Sequence, residues 1–98
     1  MTKYVLLYQG GTAPQSPEEG EQLTKAWVEW FGTAGDAILD RGNAFGASTA
    51  EGADLPASGV NGYSVVEAGS PAAVDGLLVG HPHLASGGRI EIHETIDM

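Results

Sequence analysis

The residues best suited to chemistry in this 98-residue chain are its three histidines, His81, His83 and His93, which all lie near the C-terminal end. In Gly80-His81-Pro82-His83-Leu84 the proline is expected to hold the backbone extended and stiff, so that two imidazoles project from one fixed turn. In Arg89-Ile90-Glu91-Ile92-His93-Glu94, strand alternation puts Glu91 and His93 on the face opposite Ile90 and Ile92. Imidazole gains and loses a proton near neutral pH, which makes His81, His83 and His93 candidate catalytic bases or shuttles. Glu91 is the candidate partner that orients a tautomer or raises the pKa of His93. Tyr8, Asn43 and Tyr63 are candidate substrate-binding donors. A plainer reading competes: His81 is a cation stabilising a helix C-terminus, Pro82 is its stop signal, and Glu91 and His93 are polar side chains on a partly wet strand.

Other chemistries find less support. There is no cysteine, which removes disulfides, thiolate nucleophiles and cysteine-ligated metals, and fits a reducing cytoplasmic interior. The His-x-His spacing matches no specific metal motif, so neither a metal nor any other cofactor is assigned. Gly10-Gly11 lacks the further glycines and the lysine of a phosphate-binding loop, and no serine lies in a nucleophile elbow. The formal charge is −9, with four basic residues scattered singly, so neither nucleic acid nor an anionic membrane is an expected partner. The apolar run within Met1 to Gln9 is too short for a signal peptide or a membrane span.

These residues need a scaffold, and 98 residues make one domain, 1–98, with one small core. Tyr4 to Tyr8 reads as a first strand. Ser16-Pro17-Glu18-Glu19 opens a helix, with Ser16 as cap, Pro17 at the first position and Glu19 completing a capping box. Leu23, Trp27, Trp30, Phe31 and Ala34 then form one apolar stripe, so both tryptophans are expected to be scaffold, and Gly35 ends the helix. Ala37 to Ala44 reads as a second strand, irregular near Gly42, and Phe45 to Val60 as a long connection or lid. Gly62 to Ala68 is a third strand. Ser70-Pro71 starts a short second helix ending at Gly80, and Arg89 to Thr95 is the last strand. The order βαββαβ predicts an α+β ferredoxin-like sandwich: an antiparallel sheet with both helices on one face. Its other face carries enough apolar side chains to be covered by a second copy, giving a homodimer.

The chain resembles the YCII-related family, which includes the DGPF-type proteins. The resemblance rests on Lys3-Tyr4-Val5-Leu6-Leu7-Tyr8, Ser16-Pro17-Glu18-Glu19, the step from Ala34-Gly35 into Ala37-Ile38-Leu39, Gly62-Tyr63, and a small-residue approach to an alternating last strand. It implies a dimeric α+β barrel whose facing sheets enclose a cleft for small, often aromatic, molecules. Catalytic members carry a histidine on the first helix and an aspartate before a proline at the end of the second. Those positions fall near Lys25 and at His81, and the DGPF stretch is missing between Phe45 and Val60. The resemblance therefore implies fold and dimer rather than a particular reaction. Two functions are expected: a lyase or isomerase using histidine acid–base chemistry in a dimer-enclosed cleft, or a non-catalytic dimeric module holding a small ligand, aromatic ones included.

Overall fold

A computed structural model describes residues 1–97. Strand β1 is Thr2–Gly10, helix α1 Pro17–Ala34, β2 Ile38–Asp40, β3 Val60–Ala68, α2 Pro71–Leu77, α3 Pro82–Ala85 and β4 Gly88–Glu94, with one 3-10 turn at Gly35–Ala37. The strands form one antiparallel sheet in the order β2-β3-β1-β4, and the helices pack on it, an α+β architecture.

Alternation decides which side chains the helices cover. Tyr4, Leu6 and Tyr8 of β1 are buried, as are Ser64, Val66 and Ala68 of β3. Facing them are Trp30 and Ala34 of α1 with Val74 and Leu78 from α2 and its end. The Trp30 indole N–H donates to the Leu77 carbonyl at 2.8 Å, which ties α1 to α2 while giving a buried donor its acceptor. The opposite face carries Val5, Leu7, Tyr63 and Val65, all only half-buried. Directly paired residues on antiparallel strands share a face, so Leu7↔Glu91 and Val5↔His93 put Glu91 and His93 on this uncovered side, as alternation predicts.

The first helix starts where its cap demands. Ser16 Oγ accepts from the Glu19 N–H at 3.1 Å, but the Glu19 carboxylate reaches back to the N–H of Gln15 rather than to that of Ser16. Gly35, at φ 54°, closes α1 by donating its N–H to the Phe31 carbonyl. The second strand is shorter than expected, with only a single bridge, Ala44↔Gly62, beyond Asp40. The interruption is Gly42, at φ 76°: a β-carbon there would lie 1.6 Å from the Tyr63 carbonyl oxygen, so the chain passes alongside β3 at a distance only glycine permits. Residues 46–59 form no regular element and are exposed throughout.

The histidine turn departs most from expectation. Pro82 does not hold an extended segment; it is the first residue of α3, where its missing N–H costs nothing and its fixed φ suits the helix. His81 is consequently an N-cap, not a cation at a helix C-terminus. Its backbone is extended, at φ −61° and ψ 130°, and its side chain accepts from the His83 N–H.

Candidate functional site

A cleft of about 520 Å³ opens on the helix-covered side of the sheet, between α1 and the ends of β1 and β3. Trp27 and Phe31 of α1 and Tyr8 of β1 supply its aromatic walls, and Arg41, Asn43 and His83 are among its polar groups. Volume and composition suit a small organic molecule.

Behind the cleft runs a hydrogen-bond chain whose direction the chemistry fixes. His81 is 1% exposed, and its Nδ1 accepts from the His83 N–H at 3.0 Å. A neutral ring with Nδ1 as acceptor carries its proton on Nε2, which donates to Tyr8 Oη at 3.3 Å. Tyr8 Oη donates to Ser64 Oγ at 2.8 Å, and Ser64 Oγ donates to the Arg41 carbonyl at 2.7 Å. Burial drives the His81 pKa from 6.5 down to about 4, with the neighbouring His83 adding to the shift. Burial likewise pushes the Tyr8 phenol up to about 12, against the opposing effect of its bond to Ser64. At neutral pH both groups are uncharged. His81 does not line the cleft: it packs behind Tyr8, with Trp30 at 4.3 Å and Trp27 at 4.8 Å between ring centroids. With both nitrogens engaged it acts as a fixed donor and sets the orientation of Tyr8.

His83 is placed differently. Its Nε2 lies 2.8 Å from the Gln9 carbonyl oxygen, which can only accept, so Nε2 bears the proton and Nδ1 keeps its lone pair. Two glycines make room for the ring. A β-carbon on Gly88 would lie 2.2 Å from Nε2, and one on Gly11 would sit 3.1 Å from Cε1 and 3.4 Å from Nδ1. Gly11 is held there because the next residue, Thr12, donates its N–H to the Ser86 carbonyl at 3.0 Å. A side chain at residue 11 would therefore crowd the Cε1–Nδ1 edge of His83, which glycine leaves free of a β-carbon.

The expected site residues therefore divide between the two faces of the sheet. Tyr8, His81 and His83 gather on the helix side. Glu91 and His93 lie on the opposite side, where Glu91 Oε1 meets His93 Nε2 at 2.5 Å and Glu91 Oε2 lies 3.7 Å from Arg89. Tyr63 shares that uncovered face; its hydroxyl donates to Asp40 Oδ2 at 3.0 Å, which raises its pKa, and its ring stacks on Phe45. Asn43 stands at the β2 edge, its carbonyl accepting from the Tyr63 N–H and its residue reaching the cleft rim. Among the described residues no three His, Asp or Glu side chains converge as a metal site would require.

Four cleft residues carried no signal of this kind in the sequence. Trp27 reads as core from its place in the α1 stripe, yet only Trp30 is fully buried; Trp27 is half-buried and walls the cleft. Phe31 follows the same pattern. Arg41 and Ser64 lie in no motif, and only the irregular passage around Gly42 brings them together. No protein-family model matches the chain, and no curated protein is similar enough to count as a relative.

Proposed function

We propose that the protein binds a small planar molecule in the cleft and moves a proton on it with His83, as a lyase or isomerase does. The observation that carries this reading is His83 Nδ1, an imidazole nitrogen without a hydrogen-bond partner among the described residues, on a ring that lines the aromatic-walled cavity. A base must reach its proton within about 3 Å, and a ring anchored through its other nitrogen is already oriented for that. Tyr8, held by His81 and Ser64, supplies a neutral polar edge to the same cavity.

A second reading has its own support. Among the described residues no carboxylate forms an ion pair or hydrogen bond with His81 or His83, so neither ring has the acidic partner that commonly assists a catalytic histidine. The cleft then serves a non-catalytic module that only holds its ligand.

Both readings sit on a ferredoxin-like half-barrel of the YCII-related kind, with a second copy on the uncovered sheet face. The strand order and the half-buried Val5, Leu7 and Val65 support that assembly, which would enclose the Glu91–His93 pair in a separate cleft.

The test is deuterium exchange of small aromatic and carbonyl compounds, followed by NMR alongside binding. His83→Gln keeps a donor for the Gln9 carbonyl but removes the base. Exchange that is present in the wild type and lost in His83→Gln, with binding retained, is the expected result. Exchange unaffected by the substitution overturns the assignment of the base; binding without exchange in either protein leaves the module.

A further inference from the structure

The charge of the ligand can be inferred from the charge of the cleft. The chain carries thirteen Asp and Glu against four Lys and Arg, yet among the described residues no carboxylate lines the cavity and Arg41 is the one permanently charged residue that does. Arg41 forms no ion pair among the described residues, where the pairs are those of Glu91 with Arg89 and His93. Even the adjacent carboxylate is occupied elsewhere: Asp40 Oδ1 accepts from the Gly42 N–H at 2.8 Å and Oδ2 from the Tyr63 hydroxyl at 3.0 Å.

The guanidinium is also positioned. Its Cζ lies 5.0 Å from the centroid of the Phe31 ring, a cation–π arrangement that leaves the planar fork free to donate. Below it, the Arg41 carbonyl is fixed by Ser64 Oγ, the last link of the chain that begins at His81. Tyr8 stays protonated, so it adds no negative charge to the cavity.

We infer that the cleft takes a small aromatic or conjugated carboxylate, its ring against Trp27 and Phe31 and its anionic group on Arg41. This rests on the reading of the cleft as the ligand site. A guanidinium fork matches a carboxylate with two parallel hydrogen bonds, and the aromatic walls match a flat ring. In a protein of strongly negative net charge, a single uncompensated arginine also selects against cationic molecules at short range.

The experiment compares benzoate with its neutral isostere benzamide by amide chemical-shift titration, reading the backbone N–H groups of Thr12, Asn43 and Asn61. Benzoate is expected to shift them with a Kd at least about tenfold below that of benzamide, a ratio that corresponds to one charge-assisted contact. Arg41→Gln should abolish the difference while leaving thermal stability unchanged, because the Arg41 side chain is exposed and its structural bond is made by the backbone. Arg41→Lys should restore part of it, since lysine supplies charge without the fork. Equal affinity for the two compounds overturns the carboxylate inference and leaves the cleft intact as a site. Failure of both compounds to shift any of these amides at concentrations on the order of 10 mM overturns the cleft reading itself.

Discussion

Acidification should destabilise this protein in part through His81, a contribution whose sign follows from its burial. The imidazole is 1% exposed, and its pKa falls from 6.5 to about 4 on folding. A base whose pKa is depressed in the folded state binds more protons when unfolded, so its contribution is fully present above pH 6.5 and is lost as pH falls toward 4. With those two values, linkage gives a loss on the order of 1 kcal/mol by pH 5.5 and roughly 2–3 kcal/mol by pH 4.5, relative to pH 7.5. For a domain of this size, with total stability on the order of 5–10 kcal/mol, that is a large share. Urea unfolding followed by tryptophan fluorescence between pH 7.5 and 4.5 measures it. Comparison with His81→Gln isolates it, because the carboxylates titrate in both proteins and cancel in the difference. Glutamine still offers an acceptor and a donor to the His83 N–H and Tyr8 but cannot be protonated. The variant should start less stable at pH 7.5, and the two curves should converge as pH falls. Parallel curves, or an imidazole Cε1–H resonance of His81 that titrates near 6.5 by NMR, would refute the argument that this ring is locked neutral.

Three further substitutions probe the scaffold and the cleft. Trp30→Ala should cost about 3–5 kcal/mol in denaturant unfolding, because it empties a buried site and strips the Leu77 carbonyl of its donor, whereas Trp27→Ala should cost clearly less and weaken ligand binding instead. Ser64→Ala should cost about 1–3 kcal/mol, since it leaves the Tyr8 hydroxyl without an acceptor in a buried position, and a calorimetric Tm within error of the wild type would show that water replaces the serine. Gly88→Ala puts a methyl group into the His83 ring and should cost about 1–3 kcal/mol, with the His83 resonances reporting rotation away from the Gln9 carbonyl.

Much of the scaffold is legible in the sequence because it is local. Ser16 and Ser70 cap helices that begin with a proline, Gly35 ends α1, and strict alternation sends Glu91 and His93 to the uncovered face. Each of these follows from backbone geometry and hydrogen bonding within a few residues. Pro82 shows the limit of such reading: the residue read as the stop of the second helix starts a third, α2 having ended already at Leu77. Which role it takes depended on Gly80, which at φ 76° turns the chain so that Pro82 begins a new helical turn.

The cleft belongs to the tertiary structure. His81 and His83 are separated by one residue and Tyr8 lies more than seventy positions away, yet His81 bonds to Tyr8 while His83 bonds to Gln9. The three histidines, close in sequence, end on opposite faces of the sheet, because His81 and His83 belong to the α3 turn on the helix side while alternation in β4 sends His93 to the uncovered side. Arg41 becomes a cleft residue only where the chain, past the end of β2 at Asp40, presses against the backbone of β3 at Gly42. Residue type and spacing determined which groups were capable of chemistry. The pairing of β1 with β3 and β4 and the docking of α1 decided which of them meet, since burial and directional hydrogen bonds between distant segments exist only once the sheet is assembled.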